Sequence, residues 1–380
     1  MTLASNHPLH SSNSFFENEV VEKAEKTERM ERTVKAEKKI SAGEYRKHKT
    51  AVMGVVYPGV EAYLEDYLSS MCKQTDQNFD LVLFNDRFPG LSSFLNSFFS
   101  QYSQSSLPVV VMDMPGGTIS TKRCWALRKI QALGYDNVIF TDCDDFFSPE
   151  RVHASVQALT TSGIAFNDFV QVNESKQELF RSIFQGRGIS AESKKDIHRL
   201  NFLGFSNTAV RISEVQVPEF APDLVAVDWF FFSVLIMGQG VSLSYIPKPL
   251  SFYRSYGNNF GFRDTVTPEY LKRVSEVKNT HYHALLGQRK GVLPDSFLEN
   301  VRQSFGDMNK TIADQGKTEE ELFFQLAESI NQRKNREQQF NQHTSSQHII
   351  DNQTNNNQTN NNQTFNQQEA GLFLWWEALV

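Results

Sequence analysis

From Thr50 to Phe140 the chain alternates short, continuous apolar runs with segments whose apolar residues recur at helical spacing. This alternation constrains the fold more than any other feature. "TAVMGVVYP" predicts a buried strand closed by Pro58, and "FDLVLFND", "PVVVMDMP" and "NVIFTD" repeat the pattern. Between them, "VEAYLEDYLSSMCKQ" sets Val60, Tyr63, Leu64, Tyr67, Leu68 and Met71 on one helical face. "TKRCWALRKIQALG" predicts a helix ended by Gly134. Strands separated by helices imply βαβ units and a mostly parallel sheet. Continuous rather than alternating apolar runs imply that both faces of that sheet are covered. The expected class is α/β.

Ligands of open α/β sheets bind outside the carboxyl ends of the strands. Asp86 falls at the end of the second strand, and Asp142, Asp144 and Asp145 fall at the end of the fourth, in "VIFTDCDDFFSPERV". Carboxylates packed this tightly repel one another unless a cation offsets the charge. Mg²⁺ and Mn²⁺ prefer oxygen ligands, and Mg²⁺ takes one or two carboxylates together with substrate phosphates. The alternative is an acidic turn ahead of a helix capped by Ser148, with Pro149 in its first turn. A cap accounts for one polar side chain there, not for three aspartates upstream. Lys122 and Arg123 begin a helix after the Gly-rich "PGGT", which fits a diphosphate as well as it fits a solvated helix start.

Three stretches in order resemble family-2 glycosyltransferases of the GT-A fold. "LSSMCKQTDQNFDLVLFND" resembles that family's helix, Gln-Thr turn and strand ending in an acidic pair. "VIFTDCDDFFSPERV" resembles its Asp-x-Asp-Asp metal motif with a Pro-led helix. "VDWFFFSVLIMGQGVSLSYIPKPLSFYRSYGNN" is similar to a later segment in which an acid opens a helix, a strand with "IP" follows, and "YR" precedes a polar loop. The resemblance spans about Thr50 to Asn259. It implies a mixed, mostly parallel central sheet flanked by helices. It also implies that Asp86 accepts a hydrogen bond from the nucleotide base, that Asp142, Asp144 and Asp145 carry the metal and ribose contacts, and that Asp228 is the catalytic base. Arg254 falls in the segment that closes over the diphosphate in some members. Val56 and Tyr57, ending the first strand, complete the expected donor contacts with Lys122 and Arg123. Three positions depart from the family pattern. Asn85 stands where the first strand-end acid is usual, Val227 stands before Asp228 where many members carry an acid, and "YPGVE" lacks the usual Asn.

Other residues have plainer readings. Gly204, Ser206 and Asn207 in "FLGFSNTAV" either line the donor sugar, as the resemblance implies, or form an ordinary turn. "GQG" at Gly238–Gly240 is too short for a phosphate loop and reads as a helix end. His281 and His283 do not share a helical face and read as surface or packing residues. Cys143 is a small filler, and Trp229 with Phe230, Phe231 and Phe232 is core.

Outside the resemblance the chain divides by composition. Residues 1–48 form a charged extension whose glutamates offset most of its basic charge. Residues 49–262 form the catalytic domain, with a nucleotide half at about 50–152 and an acceptor half at about 153–262. Residues 263–340 are helical, starting with Thr267 as cap and Pro268, and lie over the acceptor side or against an oligomer partner. Residues 341–380 carry the Asn/Gln-rich repeat of Asn352–Gln368 and the apolar "GLFLWWEALV", which docks on the body or on a partner. A formal net charge of −6 argues against a general nucleic-acid binder. Three scattered cysteines argue against a disulfide framework and for a reducing, cytoplasmic setting. No apolar run is long enough to span a bilayer, so any membrane contact is peripheral.

The expected function is metal-dependent transfer of a sugar from a nucleotide donor, a UDP-sugar, to a hydroxyl acceptor. The acceptor is a glycan, a lipid-linked sugar or another alcohol. Mn²⁺ or Mg²⁺ is the expected cofactor, and the resemblance implies inversion. Two alternatives stay open at this point: a metal-dependent nucleotidyltransferase, and a non-catalytic nucleotide-sugar-binding or scaffold protein.

Overall fold

The computed structural model of the protein describes residues 46–101, 107–256, 265–313, 318 and 320–332. The charged extension up to residue 45, the Asn/Gln-rich repeat and the apolar C-terminus lie outside the described residues. The described residues fall in one compact unit that begins at Arg46.

Four expected strands form as β1 (Thr50–Val56), β2 (Phe79–Asn85), β3 (Val109–Asp113) and β4 (Asn137–Phe140). They pair in parallel, with β2 and β4 flanking β1 and with β3 outside β2. Helices α1 (Glu61–Cys72), α2 (Leu91–Gln101) and α3 (Ile119–Ala132) make the crossovers. Successive residues of β1 point to opposite faces, as a strand requires. Ala51, Met53 and Val55 join one core, whereas Val52 and Val56 join a second, with Leu64, Leu68 and Met71 of α1. Every residue of β1 is buried. That is why its sequence is apolar throughout.

Beyond β4 the sheet continues with mixed pairing. β5 (Phe146–Phe147), β6 (Ile164–Val172), β7 (Glu178–Arg181), β8 (Thr208–Val210) and β9 (Leu243–Arg254) complete nine strands among the described residues, in the order β3-β2-β1-β4-β8-β6-β9-β5, with β7 paired to β6. Short β8 runs antiparallel to both β4 and β6, so it joins the two halves. β6 and β9 run parallel, with register shifts around Asp168 opposite Pro249. Proline cannot donate to a ladder, so an irregularity is needed there. The expected mixed, mostly parallel sheet with flanking helices is borne out.

The helix after the acidic motif differs in detail from its sequence reading. α4 spans Arg151–Leu159, with no side-chain cap from its own N-cap residue. The amide of Gln74, at the end of α1, supplies the capping: Oε1 accepts from Val152 N at 2.9 Å and Nε2 donates to Ser148 O at 2.8 Å. The Ser148 hydroxyl also accepts from Glu150 N, at 3.5 Å, so the expected local cap is present and Gln74 adds a long-range one.

Helix α5 (Val227–Ser233) is buried on nearly all sides, and Trp229, Phe230, Phe231 and Phe232 are fully enclosed. It runs on into a wider helical turn, Val234–Gly238, capped at Gln239 and followed by Gly240 with φ +68°, so "GQG" does end a helix. α6 (Pro268–Leu286) starts as expected, with the Thr267 side chain accepting from Tyr270 N. α7 (Asp295–Ala313) packs on α6, and residues 320–332 are helical. No helix among the described residues is long and apolar enough to cross a membrane.

Candidate active site

The carboxyl ends of β1, β2 and β4 lie side by side in the sheet, and the ion pairs there show how the charges that follow them are held. Asp86 follows β2, and its amide donates to Val56 O at 2.8 Å. Lys122, on the first turn of α3, reaches both Asp86 oxygens, at 2.6 and 2.7 Å. Arg87 adds a contact at 3.2 Å. Partial burial works against the Asp86 charge, but Lys122 and Arg87 outweigh it and hold the carboxyl below its usual range. The sequence reading kept Lys122 and Arg123 together. The structure separates them, because Lys122 is nearly buried against Asp86 while Arg123 turns to Asp142 of the acidic motif.

Asn85 also finds a reason here. It is the register partner of Asp113 on β3, and its Nδ2 donates to Asp113 Oδ1 at 2.9 Å. An acid at position 85 would face the Asp113 carboxylate directly, which is destabilising.

The three aspartates of the motif have three different environments. Asp142 keeps a third of its side-chain surface and lies 3.5 Å from an Arg123 nitrogen. The protein packed around it desolvates the charge and pushes its pKa up to about 6. Arg123 opposes that shift, and Asp144 and Asp228 add to it. Asp144 is half-buried. Its Oδ2 accepts from Tyr256 at 2.7 Å and from Tyr57 at 3.3 Å. Asp145 is buried at 2% exposure. Its Oδ1 accepts from Arg254 N at 2.8 Å and its Oδ2 from the Ser206 hydroxyl. Burial and the two neighbouring acids push the Asp145 carboxyl well up. Asp145 thus ties the motif to β9 and to the "FSN" turn, with each carboxylate oxygen engaged once inside the fold.

Arg254 is held inside the fold as well. Its guanidinium is 1% exposed and donates to Asp144 O at 2.9 Å, to Glu174 O at 2.9 Å and to Asp66 Oδ2 at 3.0 Å. It stands over the Tyr63 ring at 4.6 Å and the Phe146 ring at 5.5 Å. Placed so, it braces the backbone of the motif.

Asp228 enters from the other half, on the first turn of α5. Its Oδ1 accepts from Trp229 N at 2.7 Å and from Asn201 Nδ2 at 3.4 Å. Oδ2 lies toward Gly204, where a Cβ would stand 3.8 Å away. Burial raises the Asp228 pKa, and the Trp229 amide, Asn201 and Arg123 partly offset the rise. Arg123 thus acts on both Asp142 and Asp228, and its guanidinium also lies 5.2 Å from the Phe205 ring centre. Two groups result: Asp86 with Lys122, and Asp142, Asp144 and Asp228 around Arg123, with Tyr57 on Asp144. Val56 stays in the core at 0% exposure.

Asn201 and Tyr256 carry no motif of their own and were missed in the sequence. Asn201 lies 27 residues before Asp228, and only the fold joins them. Tyr256 follows the "YR" pair closely, and that adjacency was the one available signal. Cys143 is a buried filler, with its sulfur close enough to Gly54 that a Cβ there would fall 2.8 Å away.

The donor set suits a hard cation in part. It offers oxygens only, and Asp144 Oδ1 receives no hydrogen bond among the described residues. Among those residues, no group of three or more His, Cys, Asp and Glu side chains is arranged to hold an ion alone. The arrangement fits a cation shared with a diphosphate, since one or two carboxylates suffice there.

No protein-family profile matches the chain, and no curated protein sequence matches it. Solved structures do. TarS 1–349 of S. aureus in complex with UDP-GlcNAc is similar over 72% of this chain and 77% of its own, with 15% identity and a TM-score of 0.47. The mannosyltransferase PcManGT of Pyrobaculum calidifontis, in complex with GDP-Man and Mn²⁺, is similar over 68% and 69%, with 14% identity and a TM-score of 0.47. GalNAc-T7 with UDP, GalNAc and Mn²⁺ is similar over 71% of this chain and 51% of its own, with 11% identity and a TM-score of 0.47.

Proposed function

We propose that the protein is a glycosyltransferase that moves a sugar from a nucleotide donor, a UDP-sugar, to a hydroxyl acceptor with inversion, using a divalent cation. The observation that carries this reading is the arrangement around Arg123. A strand-end acid motif from the parallel half and a helix-borne carboxylate from the other half are grouped there, with this cation acting on both. The motif resemblance supports the same roles.

In this reading the Asp86–Lys122 pair receives the base. Asp86 accepts from a ring N–H and Lys122 donates to a neighbouring carbonyl, a pattern that uracil offers. Asp144 and, secondarily, Asp142 would hold the cation, Mn²⁺ or Mg²⁺. When bound, the cation neutralises charge on the departing diphosphate. Asp228 Oδ2 takes the acceptor proton as the acceptor oxygen forms its bond to the anomeric carbon. The bond from that carbon to the diphosphate oxygen breaks, and the electron pair leaves with the nucleotide. Burial helps Asp228 in this role, because a raised pKa makes a better proton acceptor. The Trp229 amide holds Oδ1 so that Oδ2 is the oxygen left to react.

Thermal shift against a panel of nucleotides and nucleotide sugars, with Mn²⁺ or with EDTA, tests the reading. UDP and one UDP-sugar should raise the melting temperature more with Mn²⁺ than with EDTA. Release of free sugar from that donor should follow in the presence of the ion. If no nucleotide shifts the transition in either condition, the reading is overturned.

A further inference from the structure

Asp86 and Asp142 each face a cation of the chain, Lys122 and Arg123 respectively. Asp144 has no ion pair among the described residues. Its partners are two neutral phenols, and both converge on one oxygen: Tyr256 at 2.7 Å and Tyr57 at 3.3 Å from Oδ2. Neutral donors orient a carboxylate without discharging it. Each phenol is itself held in place. The Tyr256 ring stacks on Tyr63 with centroids 5.5 Å apart, and Tyr63 is backed in turn by the Arg254 guanidinium at 4.6 Å. The same guanidinium grips the Asp144 backbone oxygen at 2.9 Å, so main chain and side chain of this residue are fixed from two sides. Tyr57 follows β1 directly, at the same carboxyl end of the sheet as the residues that follow β4.

We propose that Tyr57 and Tyr256 are the residues that set divalent-cation affinity, by locking Asp144 so that Oδ1 alone is presented as a charged, one-point ligand to a cation shared with a nucleoside diphosphate. This rests on the metal-dependent reading above. Groups that orient a ligating side chain are worth on the order of 10- to 100-fold in metal affinity. A carboxylate freed from them would rotate and lose that orientation.

The test is Mn²⁺ titration of the full-length protein with saturating UDP, read by electron paramagnetic resonance of the free ion. UDP binding in EDTA is measured in parallel by calorimetry. Tyr256→Phe keeps the ring on Tyr63 and removes only the hydroxyl. It should weaken Mn²⁺ by about tenfold, while UDP affinity in EDTA and the melting temperature stay as in wild type. The Tyr57→Phe, Tyr256→Phe double variant should weaken it further. If Mn²⁺ affinity is unchanged or tighter in Tyr256→Phe, the phenols do not set it and this inference falls, leaving the glycosyltransferase reading intact. If the wild-type protein binds UDP equally with and without Mn²⁺, the metal role falls and the inference with it.

Discussion

The two halves of the sheet each supply carboxylates to the candidate site but hold them by different means. On the parallel half, Asp86 meets Lys122 and Asp142 meets Arg123, charge against charge. Where the mixed half enters, Asp144 is held by phenols, Asp145 by a hydroxyl and a backbone amide, and Asp228 by a backbone amide and a side-chain amide. The difference has a chemical meaning. The pairs with Lys122 and Arg87 hold Asp86 below its usual range, which suits the group that, in the proposed function, must stay charged while it reads the nucleotide base. A base must change its charge during the reaction, and a cation ligand must keep charge to offer. Neutral donors permit both.

The sharpest way to break this comparison is at Asp228. Asp228→Asn keeps the shape and can still accept from Trp229 N, so the melting temperature and UDP binding should match wild type. Transfer should fall by about two orders of magnitude or more, or roughly 2.7 kcal/mol of barrier. A variant that transfers at near wild-type rate would leave Asp228 a helix-start residue only.

A next effect separates neighbours inside the acidic motif. Asp145→Ala leaves Ser206 and the Arg254 amide without their acceptor in a buried place. It should destabilise the fold by about 2–3 kcal/mol in denaturant unfolding. Asp144→Asn should leave stability within about 0.5 kcal/mol yet remove the Mn²⁺-dependent gain in UDP affinity. Equal stability losses in the two variants would erase the distinction between tie and ligand.

On the charge-paired side the expected effect is smaller. Lys122→Met removes the partner of Asp86 while keeping the stem packed in α3. UDP affinity in EDTA should drop about tenfold, near 1.4 kcal/mol, and the loss should be specific to the uracil base. A panel of nucleotides with other bases measures this. A uniform loss across all of them would assign Lys122 to phosphate instead.

The same contrast explains what could be read from the sequence. β1 to β4 were legible because each is buried on both faces and so is apolar throughout, and because a helix with a clear apolar face follows each of β1 and β3. β8, three residues long, and β5, two residues long, are set by pairing partners far along the chain and leave no pattern of their own. Asp86, Asp142 and Asp144 could be placed at strand ends by order alone. That Asp145 turns inward depends on Ser206 and Arg254, 61 and 109 residues away, which no local spacing encodes. The surroundings of Arg254 are long-range for a related reason, since its aromatic neighbours Tyr63 and Phe146 come from α1 and β5. Gln74 capping α4 is a third case, since nothing in "SPERV" points back to the end of α1.

The smallest expected effect lies behind the base helix and extends the neutral side of the comparison to a residue with no part in the site. His281 on α6 is fully buried and stacks on Trp229, with ring centres 3.7 Å apart and planes 12° off parallel. Neither of its ring nitrogens has a hydrogen-bond partner among the described residues. Burial pushes its pKa well down, and Lys278, one turn earlier, pushes the same way. The folded protein therefore holds His281 neutral at pH values where the unfolded chain, with an ordinary histidine pKa near 6.5, takes up a proton. The unfolded state binds more protons in that window, so stability rises with pH up to about 6.5 and is lost as pH falls below it. His281→Phe keeps a flat ring against Trp229 and has no proton to bind. Between pH 6.5 and 5.5 the wild-type protein should lose about 1 kcal/mol more unfolding free energy than the variant, below the limit of about 1.4 kcal/mol per pH unit for one group. Urea unfolding of both proteins at the two pH values gives the difference directly, and other titrating groups cancel in it. Equal losses would mean that His281 finds a partner for its proton in the folded state, and the stack on Trp229 would then have to accommodate a charge beside the helix that carries Asp228.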